Sequence, residues 1–176
     1  MKKVLLAVSG GIAVYKACDI VSKLTKRNVD VQVIMTENAT KFVTPLTFEA
    51  LSSIWCSPTP SIIPMMPPSS TLLAQRPICS CAPATANIMA KMAHGIADDM
   101  VSSTFLAATC PVLVCPAMNT NMYENAATQA NLRILEERGM KIVGPGVGKL
   151  ACGDIAKGVL APVDDIVDAI METLGQ

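Results

Sequence analysis

The chain has 176 residues, of which 51% are hydrophobic and 16% charged, with 14 acidic against 14 basic side chains. That length buries enough surface for one domain without disulfides or metal, and a balanced charge with no Lys/Arg run excludes the basic stripe of a nucleic-acid binder. A charged fraction this low, with a mean hydropathy of +0.44, places part of the surface against other copies of the chain.

Met1-Lys2-Lys3 followed by Val4 to Val8 imitates a signal peptide, but Ser9-Gly10-Gly11 breaks the apolar run and Tyr15-Lys16 stands where a cleavage site belongs. The run reads instead as a strand buried on both faces. Ile12 to Arg27 repeats apolar residues at helical spacing and ends in the cations Lys26-Arg27. Val29, Val31, Val33 and Met35 form a second strand, and Pro45 to Ser53 a helix with proline in its first turn. Ile88 to Ala93 is helical. His94 before Gly95 suits a helix C-terminus better than a general base, and Asp98-Asp99 opens the next helix. Pro111 to Cys115 is a buried strand, Tyr123 to Arg138 one long helix, Lys141 to Val143 a strand and Val163 to Leu174 the last helix. The uncharged stretch from Met100 to Tyr123 is broken by Pro111 and Pro116 and does not read as a membrane span. Strands alternating with helices predict an α/β fold with a doubly wound, mainly parallel, Rossmann-like sheet whose ligands sit beyond the strand carboxyl ends. Seven cysteines without a CxxC pair, and a single histidine, suggest neither a disulfide framework nor a metal site. A cytoplasmic protein with no membrane or nucleic-acid partner is expected.

Several motifs fall at strand ends. Ser9-Gly10-Gly11-Ile12 joins the first strand to the first helix, either as a phosphate-holding turn or simply as a tight one. Thr36 follows the second strand as a cap or as a second ligand contact. Ala82-Pro83-Ala84-Thr85-Ala86-Asn87 has the small residues that let a flat ring approach, and Pro116-Ala117-Met118-Asn119 follows another strand. Gly144 to Gly158 is glycine-rich around Cys152 and reads as a mobile flap. Cys18, Cys110 and Cys115 fall on apolar faces as core residues. Residues 56–81 fit no period: they hold six of the twelve prolines, three of the seven cysteines, and one charge.

These motifs, with Gly95-Ile96-Ala97-Asp98-Asp99 and Leu150-Ala151-Cys152-Gly153, resemble the homo-oligomeric flavin-containing cysteine decarboxylases, and among them the phosphopantothenoylcysteine decarboxylases. The resemblance runs along nearly the whole chain outside 56–81, as one flavoprotein domain over 1–176 without a fused synthetase. It implies FMN as cofactor and decarboxylation of 4'-phosphopantothenoylcysteine to 4'-phosphopantetheine for coenzyme A synthesis. Oxidation of the substrate thiol to a thioaldehyde supplies the electron sink, and the enethiolate left by decarboxylation is then protonated and reduced, so net redox is zero. By the same resemblance Gly10, Gly11, Ile12, Thr36, Glu37, Asn38, Thr85, Ala86, Asn87, Ile88 and Ala117 contact FMN. Asn119 holds the substrate carboxylate with Met122 beside it, and Cys152 donates the proton. Active sites between the subunits of a homotrimer are implied as well.

The family's active-site histidine, in a His-Ile pair, falls within 56–81, where the chain has none, and Ala156 and Val159 replace a glycine and an arginine of the flap. One choice of synonymous codons for Pro68 to Leu72, read from the third base of each codon, encodes Val-Glu-His-Ile. Similar readings in that frame exist near Cys56 and Pro77. Residues 56–81 are therefore expected to be a frameshifted stretch. A peptidyl-cysteine decarboxylase, a flavin prenyltransferase and a non-catalytic FMN-binding regulatory subunit stay open as alternatives; Asn119 and the Cys152 flap argue against the prenyltransferase.

Overall fold

The computed structural model describes residues 2–52, 77–149 and 155–175. Five parallel strands form the sheet, β1 (Lys2–Val8), β2 (Val29–Met35), β3 (Cys79–Ala84), β4 (Val112–Pro116) and β5 (Lys141–Ile142), in the order β2-β1-β3-β4-β5. From β1 the chain goes to β2 on one side and then crosses to β3 on the other, which sets a switch point between the carboxyl ends of β1 and β3.

The central position of β1 explains its unbroken apolar run. Side chains alternate across a strand, so Val4, Leu6 and Val8 enter one core while Leu5 and Ala7 enter the other. The first core is closed by α1 (Val14–Lys26), α3 (Pro45–Ser52) and α8 (Val163–Gly175), which contribute Ile20, Leu24, Phe48, Ile166 and Ile170. Opposite lie α4 (Ala86–His94), α5 (Met100–Leu106) and α7 (Ala126–Glu137), with Ile88, Met89, Val101, Phe105, Leu132 and Leu135. Three layers result, as the alternation of strands and helices predicts. Lys23 on α1 and Arg27 at its C-cap pair with Asp164 and Asp168 of α8 at 2.8 and 2.6 Å and stitch the surface of the first layer.

Three sequence expectations change. The long helix from Tyr123 is broken: α6 (Thr120–Glu124) ends at Asn125, whose extended backbone (φ −57°, ψ 135°) restarts the chain as α7. Asn125 Oδ1 accepts from the Ala127 N–H at 2.9 Å, so a capping side chain outcompetes helix continuation. The glycine-rich flap is an antiparallel hairpin of β6 (Gly146–Lys149) and β7 (Ile155–Val159). Of the stretch that fits no period, residues 79–81 enter β3, all six residues of which are buried. Cysteine and small residues carried no alternation there because both faces of this strand are covered. The rest of that stretch up to residue 76, including the codon pattern at Pro68 to Leu72, lies outside the described residues. The helix Glu37–Thr40, α2, completes the elements. Among the described residues no helix is long and apolar enough to cross a membrane.

Candidate functional site

Two adjoining clefts open at the carboxyl ends of β1, β3 and β4. The first, about 630 Å³, is lined by Gly11, Ile12, Tyr15, Lys16, Thr85, Ala86, Ala117, Met118, Asn119, Met122 and Gly158 among others. The second, about 560 Å³, is lined by Ser9, Gly10, Thr36, Glu37, Asn38, Thr85, Ala86, Asn87, Lys91, Asp98, Asp99 and Met122. Thr85, Ala86 and Met122 belong to both, so a single extended ligand can cross from one to the other. Each volume lies in the usual range for a small-molecule site of roughly 300–1,000 Å³.

Ser9 holds the two strand ends together. It is 1% exposed; its Oγ donates to the Pro83 carbonyl at 2.8 Å and accepts from the Thr85 N–H at 2.9 Å. This knot fixes the distance between the Gly10-Gly11 turn and the Thr85 turn that face each other across the clefts. Sequence reasoning saw Ser9 only as the start of a glycine turn, because its partners are 74 and 76 residues away.

The two glycines have different jobs. A Cβ at Gly10 would stand 2.5 Å from the Asn38 backbone carbon, so this glycine is required by protein packing, where α2 approaches the end of β1. A Cβ at Gly11 would find only Thr85 Cγ2, at an ordinary 3.6 Å, and would add to the wall of the first cleft. Among the described residues, no acceptor is bonded to the N–H groups of Gly10, Gly11 or Ile12 at the start of α1. Free donors of that kind at a strand-to-helix turn suit an anionic or carbonyl oxygen.

Thr36 and Thr85 resolve the choice between cap and ligand contact. Each is an N-cap: Thr36 Oγ1 accepts from the Ala39 N–H at 3.3 Å and Thr85 Oγ1 from the Ile88 N–H at 3.4 Å. Capping uses the oxygen as acceptor and leaves the Thr36 hydroxyl hydrogen for a cleft ligand, while the Thr85 hydroxyl also lies 3.3 Å from Ser9 Oγ. Ile88 lines neither cleft; its side chain, 1% exposed, packs in the second core.

Asn119 lines the first cleft and caps α6 by accepting from the Asn121 N–H at 2.8 Å. The hairpin is latched against this turn. The Met118 N–H donates to the Gly158 carbonyl at 2.9 Å, and Thr120 Oγ1 donates to the Lys157 carbonyl at 2.6 Å. A Cβ at Gly158, whose φ is +135°, would overlap the Met118 carbonyl oxygen. The glycine read as a sign of mobility is thus a close backbone approach. Cys152, between the two strands of the hairpin, lies outside the described residues.

Lys91 bridges Asp98 at 2.6 Å and Asp99 at 3.2 Å along the floor of the second cleft. Its hydrogen bond holds the Asp98 carboxyl below the usual range and raises the Lys91 ammonium. Asp99 caps α5 in a reciprocal box with Ser102, 2.7 Å from its N–H. His94 ends α4 and lies 3.0 Å from Asn131 Oδ1, lining neither cleft, while Gly95 adopts the left-handed cap at φ +70°. Cys115 is buried, and burial pushes its thiol up to about 12. Cys81 is raised for the same reason, which leaves both as neutral packing groups. Cys18 and Cys110 are only half-buried.

Sheet order and cleft position define a doubly wound α/β protein with an extended ligand site at its topological switch point. The chain belongs to the Flavoprotein family, whose model matches residues 1–175. It is 45% identical over 172 residues to the coenzyme A biosynthesis bifunctional protein CoaBC of Bacillus subtilis (strain 168), covering 94% of this chain and 41% of that protein. The chain therefore spans about two fifths of that bifunctional relative. It is 43% identical over 177 residues to a probable phosphopantothenoylcysteine decarboxylase of Streptococcus mutans, covering 98% of this chain and 99% of that one. Among solved structures, a Cys-to-Ser mutant of PPC decarboxylase complexed with pantothenoylaminoethenethiol superposes with a TM-score of 0.87, at 26% identity and full coverage of both chains.

Proposed function

We propose that this chain binds FMN across the two clefts and decarboxylates 4'-phosphopantothenoylcysteine to 4'-phosphopantetheine, a carboxy-lyase step in coenzyme A synthesis in the cytoplasm. The observation that carries the reading is the convergence of every expected contact except Ile88 and Cys152 on one continuous pair of clefts. Similarity to a probable phosphopantothenoylcysteine decarboxylase over 99% of that protein's length supports the substrate.

The residues present fit a flavin. Gly10, Gly11 and Ile12 offer backbone donors, Thr36 and Thr85 offer hydroxyls, and Ala86 and Ala117 give flat, small walls for a ring. FMN, when bound there, supplies the reversible two-electron oxidation that turns the substrate thiol carbon into an electron sink for the departing carboxylate. The protein's part is placement. Asn119, anchored by its capping bond, presents its amide to the substrate carboxylate, and Met122, 50% exposed at the junction of the clefts, packs beside it. Ala84 and Gly158 carbonyls accept from the Ala117 and Met118 N–H groups at 3.0 and 2.9 Å, so the Asn119 turn is held from two sides. Cys152, by resemblance, protonates the enethiolate.

The first cleft is incomplete as a solvent-excluded site. Its lining residues Ile12 and Tyr15 are 64% and 60% exposed, and Val147 on the neighbouring hairpin is 74% exposed. A homotrimer that covers this face supplies the missing wall and accounts for the low charge of the sequence.

Purified protein that is yellow and releases carbon dioxide from phosphopantothenoylcysteine supports the assignment. Asn119→Ala should keep the flavin and lose decarboxylation. The second reading, FMN binding without catalysis, is favoured by the missing histidine of 56–81 and predicts a yellow but inert protein. Protein without flavin overturns both.

A further inference from the structure

The decarboxylase reading leaves Cys79 and Cys110 without a task, yet their sulfurs lie 3.2 Å apart. Cys79 opens β3, and its N–H donates to the Pro111 carbonyl at 3.0 Å, so the segment entering β4 runs directly beside it. Both sit at the amino-terminal ends of these parallel strands, at the opposite end of the sheet from the clefts. Cys79 is fully buried while Cys110 is half-buried. Cys110 is thus the residue of the pair nearer solvent, and Cys79 is closed off from it.

The chemistry of the pair is asymmetric. The contact with Cys79 lowers Cys110 from the ordinary thiol value, while the same contact and burial raise Cys79. Thiolate is the reactive form. Cys18, Cys81 and Cys115 are all raised, each chiefly by desolvation. Among the described cysteines, reactivity is therefore concentrated at Cys110, next to a resolving partner.

We propose that Cys79 and Cys110 form a peroxide-responsive dithiol that closes into an intramolecular disulfide, a reading that takes Cys79 as genuine and so stands against the frameshift expected over 56–81. The Cys110 thiolate attacks one oxygen of hydrogen peroxide, the O–O bond breaks, and the departing hydroxide takes a proton to become water. Cys79 sulfur then attacks the resulting sulfenic acid; the S–S bond forms, the S–O bond breaks, and the leaving hydroxide takes the Cys79 proton as a second water. Two thiols are oxidised and one peroxide is reduced to two waters. Closure to a bond of about 2.05 Å asks for roughly 1 Å of approach by the sulfurs, within reach of rotamer adjustment at the half-buried Cys110. The bridge ties β3 to the entry of β4 and constrains the unfolded chain between them, so the oxidised protein melts at a higher temperature and keeps its flavin.

The test uses the full-length protein with its flavin, treated with hydrogen peroxide, alkylated, digested and analysed by mass spectrometry. Expected is a cross-linked pair of peptides, one carrying Cys79 and one Cys110, two hydrogens lighter than their sum and released by dithiothreitol. Cys110→Ser, at a half-buried position, should fold, keep its flavin and give no cross-link. Overoxidised Cys110 beside a free Cys79, a bridge between other cysteines, no reaction in folded protein, or a residue other than cysteine at position 79 would each overturn the proposal. The wild-type cross-link is read directly, so the conclusion does not depend on a variant folding.

Discussion

Gly10 and Gly11 adjoin in sequence and both line the site, yet alanine at each should fail in a different way. A Cβ at Gly10 stands 2.5 Å from the Asn38 backbone carbon and equally close to Asn38 Cβ, about 0.9 Å short of the 3.4 Å at which ordinary contact begins. The obstacle is backbone, so α2 must move away from the end of β1 or the turn must open. Overpacking of this kind costs about 1–3 kcal/mol. For a domain of this size about 2 kcal/mol lowers Tm by roughly 4–8 °C. Gly11→Ala meets only a methyl group at 3.6 Å, so the flavin-free protein should melt as the wild type does. The new methyl stands in the first cleft, and one misplaced carbon in a fitted pocket costs about 1–3 kcal/mol, a 10–200-fold loss of FMN affinity. Thermal unfolding of flavin-free protein and fluorescence titration with FMN separate the two. If Gly10→Ala leaves Tm unchanged, or if Gly11→Ala lowers it as much, the assignment of one glycine to packing and the other to the ligand fails.

Three further outcomes follow from the same geometry. Ser9→Ala strips the Thr85 N–H of its buried acceptor, and an unsatisfied group of that kind costs about 1–3 kcal/mol; a Tm equal to wild type would mean that the knot between β1 and β3 is held elsewhere. Gly158→Ala places a side chain at φ +135° against the Met118 carbonyl and should release the hairpin, read as faster proteolysis around residues 146–159 and loss of decarboxylation with the sheet intact by circular dichroism. Asp98 is held below its ordinary value of 3.8 by the Lys91 ammonium, so the folded protein takes up this proton less readily than the unfolded chain does. Stability from the pair is complete above that ordinary value and is lost as pH falls through the lowered one. Acid unfolding of Asp98→Asn should accordingly be flatter below pH about 4, and an identical acid profile would show that the pair adds nothing measurable.

Much of the architecture is legible locally because its causes are local. The apolar run of β1, the amphipathic stripe of α1 and the Asp99 cap are each set by residues within a turn or a strand of one another. Strand-end motifs were equally readable, since a doubly wound sheet sends its ligands to strand carboxyl ends whatever the sequence. The break at Asn125 was hidden by apolar spacing that continues across it. Only the side chain's choice of the Ala127 N–H over solvent ends the helix there. β3 was hidden because a strand covered on both faces by cysteine and small residues has no period to read.

Local sequence dictates the strand-end turns and their chemistry: glycine donors, threonine caps, small walls and an asparagine. How they meet depends on contacts far apart in the chain. Ser9 reaching Pro83 and Thr85, Gly10 yielding space to Asn38, Gly158 lying against Met118 and Cys79 facing Cys110 are contacts between segments from 28 to 76 residues apart. Such contacts depend on sheet order, and sheet order comes from burying two faces at once, a property of the whole chain that no local window contains.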